Sequence, residues 1–313
     1  MSYQGSREAI IEAIKELVQR DPKVVLVSAD SKFACRAAGF AEEFPNNFVE
    51  VGIAEQCAVN VACGLAESGM KPIVETYGNF LAGRAFEQMH LAGYSDANIK
   101  YIGLNAGMQG GEREGVTHQS NGDLGNVRNI PGLTVLCPCD EHQVFDAIHK
   151  MMDVDGPVYV RIGSGREPVV YNQPTPPFEI GKARIVREYG SDVAVFSQGF
   201  VMGRAIEAVD ELKAQGVFAT LVEVPTLKPI DVETVSAVLA KCGKAVSFED
   251  HYITGGLGTA IAEVIAEHQS AKLVRIALET YPESGHAGLL LDKYGISARN
   301  LVVTAGKLAR NEL

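Results

Sequence analysis

NNFVEVGIAEQCAVNVACGLAESGMKPIVETY, residues 46–77, decides the fold. It opens on a β-rich run, NFVEV at 47–51, passes through Gly52 into a segment that is helical by pattern over 52–69, and closes on a second β-rich run, PIVETY at 72–77. Strand, helix and strand within about thirty residues make a βαβ unit, whose strands lie parallel. The same alternation extends in both directions, with VVLV at 24–27, YIGL at 101–104, LTVL at 133–136 and PVYVRI at 157–162. Such apolar runs belong to a parallel sheet covered by helices on both faces. Pro168, Pro174, Pro176 and Pro177 then interrupt the pattern, as an extended linker does. A second series follows: VAVFS at 193–197, a helix from about Met202, FATLVEV at 218–224, KAVSFE at 244–249 and LVRIAL at 273–278. The expected architecture is α/β with two domains, each a mainly parallel sheet flanked by helices, over 1–165 and 181–313, joined by a linker at 166–180.

A chain of 313 residues can bury two cores, and 46% hydrophobic with 21% charged residues excludes disorder and coiled coil. Its formal charge of −11 argues against nucleic acid or an anionic membrane as partner. No apolar stretch approaches the ~18 residues of a membrane span. The amphipathic, acid-bearing start lacks the pattern of a signal peptide, so a cytoplasmic protein is expected. Six cysteines fall mostly in apolar runs, and Cys137-Pro138-Cys139 lacks the second pair that a zinc site needs, so they read as small core residues. Two polar features stay open. The amides of GGLG at 255–258 could hold an anion or serve close packing, and NGDLGN at 121–126 reads as a helix start capped by Asn121 or Asp123.

Glu55 is the acid that the pattern places oddly. At 100° per residue Gln56, Asn60 and Glu67 share one stripe of the 52–69 helix, while Glu55 lies with Val59, Ala62 and Ala66. An acid in a first helical turn can simply complement the helix dipole. That role needs only a solvated position, whereas the alanine-rich face predicts close packing. A carboxyl held out of water is suited to exchanging a proton with a ring nitrogen.

EEFPNNFVEVGIAEQ (42–56), KPIVETYGNF (71–80), GVTHQ (115–119), IPGLTVLCP (130–138) and SFEDHYITGGLGTAIAE (247–263) together resemble the transketolase family, specifically its pyrimidine-binding and C-terminal domains as found in split transketolases. The resemblance covers nearly the whole chain. It implies that Glu55 binds N1′ of the aminopyrimidine of thiamine diphosphate and that Phe80, with Tyr77 close by, stacks on that ring. Both aromatics could equally be core residues. Asp30 matches an acid near the thiazolium, though an acid closing a strand also suits a turn. His118 matches a histidine that reaches the sugar's oxygens, and Glu114 an acid that reads hydroxyl configuration, in a loop one residue longer than usual. Arg7 matches a phosphate-contacting arginine. Asn105 replaces a usual histidine, Ser164 a usual arginine and Ala34 a common serine, so the grip on a substrate phosphate is altered. Arg84, Arg113, Arg161 or Arg166 are candidates to compensate.

In that family Mg²⁺ and the diphosphate are held by a separate domain carrying a GDG motif followed by an asparagine, which this sequence lacks. The resemblance therefore implies an obligate N-terminal partner subunit, in an α2β2 assembly, that supplies the Mg²⁺ ligands. The implied activity is transfer of a two-carbon ketol unit from a ketose to an aldehyde. Alternatives on the same scaffold are 1-deoxyxylulose-5-phosphate synthesis and the beta subunit of a 2-oxoacid dehydrogenase. A noncatalytic partner subunit is the alternative of another class.

Overall fold

The computed structural model describes residues 5–112, 114–165, 167–171 and 176–313. Arg113, Arg166 and Pro174 lie outside the described residues. The first half runs α1 (Ser6–Arg20), β1 (Val24–Ser28), α2 (Ala38–Glu43), β2 (Phe48–Glu50), α3 (Glu55–Glu67), β3 (Lys71–Tyr77), α4 (Phe86–Tyr94), β4 (Lys100–Leu104), α5 (Asp123–Val127), β5 (Thr134–Leu136), α6 (Glu141–Met151) and β6 (Val158–Arg161). The second runs β7 (Arg184–Glu188), β8 (Val193–Ser197), α7 (Met202–Ala214), β9 (Ala219–Glu223), β10 (Thr226–Lys228), α8 (Val232–Cys242), β11 (Lys244–Tyr252), α9 (Leu257–His268), β12 (Lys272–Leu278), α10 (Ala287–Lys293) and α11 (Ala298–Ala309).

Two sheets result, in the orders β10-β5-β6-β4-β3-β1-β2 and β12-β11-β8-β9-β7. Every pairing is parallel except β10 on β5 and β7 on β9. The central strands β1, β8 and β9 are buried along their whole length, which is why they read as unbroken apolar runs. On one face of the first sheet α1 presents Ala9, Ile10, Ala13 and Ile14 to α6. On the other, α3 and α4 share a continuous core with α8 and α9 of the second half, Ala58 and Val59 meeting the cluster that holds Leu239, Leu257 and Ile261. Helices α7 and α11 cover the far side of the second sheet.

The two halves interlock. β10 pairs antiparallel with β5, Thr226 opposite Leu136, and so covers an edge of the first sheet that would otherwise be open. The proline-rich connection is docked: the Val170 and Tyr171 amides each donate to Asp140 Oδ2 at 2.9 Å, and Phe178 is buried. At the junction Arg161 Nε lies 3.1 Å from Asp123 Oδ2, and its Nη1 2.8 Å from Asp250 Oδ1, all three side chains being buried. This corrects two expectations. Asp123 does not cap α5, whose N-cap is Gly122 with no side-chain bond, because its carboxylate is taken by Arg161 and by the Tyr159 hydroxyl at 2.9 Å. Nor does Asn121 cap it; its amide donates to Gln119 Oε1 at 3.1 Å. Arg161 is in turn committed to structure and does not compensate for a missing phosphate ligand. Losing one member of such a buried set leaves a lone charge and costs about 3–5 kcal/mol.

GGLG serves close packing. The Leu257 and Gly258 amides at the start of α9 donate to Glu249 at 2.7 and 2.8 Å, so this helix terminus is already filled by a carboxyl group of its own chain. A Cβ on Gly256 would lie 2.0 Å from Glu249 Oε2, which is why glycine stands there. Burial pushes the Glu249 carboxyl up to about 7 against the pull of those amides. All six cysteines are free; Cys35, Cys137, Cys139 and Cys242 are buried and Cys63 partly so, but Cys57 departs from expectation on the exposed face of α3. Among the described residues no helix is long and apolar enough to cross a membrane.

Candidate active site

The polar cluster of the first half gathers where parallel strands end, as ligand sites of open α/β sheets do. Asp30 follows β1, exposed and at φ 53°, a left-handed conformation that aspartate tolerates better than most residues. Its amide donates to Glu50 Oε1 at 2.7 Å, and the Gly52 amide donates to the same oxygen at 2.9 Å. Glu50 thus ties the end of β1 to the turn that leads into α3. Glu55 is the first residue of that helix. Its side chain is buried, the residue being 3% exposed, and Oε2 has no hydrogen-bond partner. Val59 and Ala62 are buried beside it, while Gln56, Asn60 and Glu67 are exposed, as the helical spacing predicts.

α3 packs against a π-helical turn, Phe80–Arg84, that follows β3. π-Helical turns recur at functional sites because they re-aim side chains. Here the turn brings Phe80 edge-on to Tyr77 with centroids 5.6 Å apart, and His118 packs against both rings at 5.0 and 4.8 Å. Thr117 Oγ1 lies 3.1 Å from His118 Nδ1, so Nδ1 is the ring nitrogen engaged by its neighbour in the chain. Asn79 Nδ2 donates to the Thr117 carbonyl at 2.9 Å and so joins the aromatic turn to the THQ loop. Burial, and then the charge of the exposed Glu114, raise the Tyr77 phenol.

Arg7, at the start of α1, reaches the same region. Its Nη1 donates to the Ala34 carbonyl and its Nη2 to Asn105 Oδ1, both at 2.7 Å. Arg7, Ala34 and Asn105, far apart in the chain, therefore meet, and Gly165, next to Ser164, packs on the Arg7 stem. Both ends of the guanidinium fork are engaged within the protein. Nδ2 of the buried Asn105 and Nε of Arg7 are left without partners. Arg84 is exposed on the π-helical turn.

Glu75 stands inside the KPIVETYGNF stretch, which by itself assigns it no role. It lies in β3 in full burial, with Oε1 unpartnered, and burial pushes its carboxyl up to about 8 although the Arg7 charge pulls the other way. The visible signal is an acid inside an otherwise apolar strand, IVETY. Because the native carboxyl holds its proton to about 8 and an unfolded one releases it near 4.5, the native state binds more protons in between. Stability contributed at this position therefore falls as pH rises through that window. Glu75→Gln, which cannot ionise, is expected to melt higher relative to wild type at pH 8 than at pH 5. A melting difference independent of pH in thermal scans would contradict this account.

Two mainly parallel sheets sharing a core, with a polar cluster at the strand ends of the first, place the chain among doubled α/β proteins. It matches the transketolase pyrimidine-binding domain over residues 3–166 and the transketolase C-terminal domain over 181–301. It is 33% identical over 308 residues to a 6-deoxy-6-sulfo-D-fructose transketolase subunit of a Clostridium species, covering 98% of this chain and 95% of that one. It is 31% identical over 301 residues to one subunit of the apulose-4-phosphate transketolase of Phocaeicola vulgatus, covering 96% of each. Among solved structures it superposes on a split-gene transketolase in an inactive β4 tetramer, with a TM-score of 0.88, 35% identity and 98% of both chains covered. The chain belongs to the transketolase family and is its C-terminal subunit in the split form, with pyrimidine-binding and C-terminal domains. A pyrimidine-binding domain of this family implies thiamine diphosphate, and a split subunit implies a separate partner chain.

Proposed function

We propose that this chain works with a separate subunit as a thiamine diphosphate-dependent transketolase, moving a two-carbon ketol unit from a ketose to an aldehyde acceptor. The observation that carries the proposal is the buried Glu55 carboxyl whose Oε2 lacks a partner, on a helix that packs against the turn where Phe80 meets Tyr77 and His118. An unpaired buried acceptor is costly unless a ligand supplies a donor, and a protonated ring nitrogen of a flat heterocycle fits both the acceptor and the adjoining rings. Thiamine diphosphate, when bound, supplies the nucleophilic carbon that carries the two-carbon unit. Glu55 holds the proton at the pyrimidine nitrogen, Phe80 and Tyr77 pack on the ring, and Asp30 stands on the thiazolium side. His118 Nε2 orients the sugar's oxygens and Glu114 reads a hydroxyl.

Among the described residues no group of three His, Cys, Asp or Glu is placed to hold a metal ion. The Mg²⁺ and diphosphate ligands are assigned to the partner, in an α2β2 assembly. Phe33 at 79% and Ile53, two residues before α3, at 74% are exposed apolar side chains that suit burial against that partner. The far end of the substrate meets Arg7 and Asn105. Arg7 already commits its fork to Ala34 and Asn105. The substrate is therefore a sugar whose far end is uncharged or charged differently from phosphate. The Clostridium relative's sulfonated sugar is in keeping with this; the Phocaeicola relative acts on a phosphate. Steady-state kinetics of the assembled enzyme decide the point. Xylulose 5-phosphate with ribose 5-phosphate is expected to give a kcat/KM well below that of a nonphosphorylated or sulfonated ketose. A value of ~10⁴ M⁻¹s⁻¹ or above for the phosphates, within the ordinary enzymatic range, would overturn the substrate assignment.

A further inference from the structure

Residues 107–123 carry Glu114 and His118 at their centre, and both flanks of this segment are gripped by the second half of the chain. Met108 is buried in the second half's core with Leu290 and Leu291, and α10 packs on the turn Met108–Gly111. A Cβ on Gly107 would fall 2.1 Å from Asp250 Oδ2, so glycine lets the segment pass that close to β11. The Ser284 hydroxyl donates to the Gly111 carbonyl. On the other flank Gln119 Nε2 donates to the Glu283 carbonyl at 3.0 Å, and the Tyr252 amide donates to the Asn121 carbonyl at 2.7 Å. Glu283 is itself held by Lys293 and Tyr294 at the end of α10. A segment pinned on both flanks has fewer conformations to lose when substrate binds, and small displacements of an orienting group cost rate steeply.

We infer that the second half of the chain shapes the substrate loop, with Ser284 a positioning residue that acts through the Gly111 carbonyl on Glu114 and His118. This rests on the reading that those two side chains face the substrate. The test uses Ser284→Ala and Ser284→Thr in the assembled two-chain enzyme, with His118→Ala alongside, and hydrogen–deuterium exchange over residues 108–118. Ser284→Ala is expected to raise the donor KM about tenfold, the size of one net hydrogen bond, with cofactor affinity unchanged and exchange over the loop accelerated. Ser284→Thr, which keeps the hydroxyl, is expected to restore both readouts. Wild-type KM and exchange in Ser284→Ala, with His118→Ala inactive, would overturn the inference. Wild-type activity in His118→Ala would instead count against the loop's substrate role, and the exchange rates alone then decide whether Ser284 holds the loop.

Discussion

Glu55→Gln, assembled with its partner and saturated with cofactor and Mg²⁺, is expected to lose about a hundredfold to ten-thousandfold in turnover, the span that general acid–base groups contribute. Glutamine keeps the shape and one oxygen but cannot share a proton with a ring nitrogen. The fold is expected to persist. Glu55 is buried with Oε2 unpartnered, so replacing it with an isosteric glutamine removes no native hydrogen bond at that atom. A melting temperature close to that of wild type should accompany the loss. Loss of turnover with an unchanged fold separates proton handling from structural damage. Turnover at the wild-type level would remove Glu55 from the reaction.

Strands and helices are legible because local pattern and tertiary position agree here. The runs at 24–27, 101–104 and 193–197 lie in strands buried on both faces, and the 3.6-residue spacing of 52–69 places Glu55 on the inner side of α3. What local pattern does not carry is partnership across the chain. β10, three residues long, is a strand because β5 needs an edge partner from the second half. Its neighbours in sequence suggest a capping role for Asp123. Instead Arg161, 38 residues further on and itself paired with Asp250 another 89 residues away, claims the carboxylate. The glycines of 255–258 allow two readings until Glu249 is seen to fill the helix terminus. At the candidate site the residues come from motifs, but their arrangement does not. Arg7, Ala34 and Asn105 stand in three separate stretches, and only folding shows that two of them consume the arginine's donors. Glu75 lies within a recognisable stretch, but only folding shows that this acid is fully buried.

We propose that this chain holds half of a cofactor site. On its own it can offer the pyrimidine ring an aromatic face, about 0.5–1.5 kcal/mol, and one hydrogen bond to a charged group, about 1.5–3 kcal/mol. Those gains roughly equal, at best, the lower limit of the ~4–15 kcal/mol that association costs in lost freedom. The net is close to zero at best, so binding by the chain alone should be far weaker than millimolar, the level that about −4 kcal/mol net would give. Adding Mg²⁺ and the diphosphate ligands of a partner supplies the remaining interactions, and every further 1.4 kcal/mol tightens binding about tenfold. Isothermal titration of thiamine diphosphate with Mg²⁺ into the isolated chain, and into the reconstituted pair, tests this most directly. The account predicts no measurable binding to the chain alone and at least about hundredfold tighter binding to the pair; tight, Mg²⁺-dependent binding to the isolated chain would contradict it.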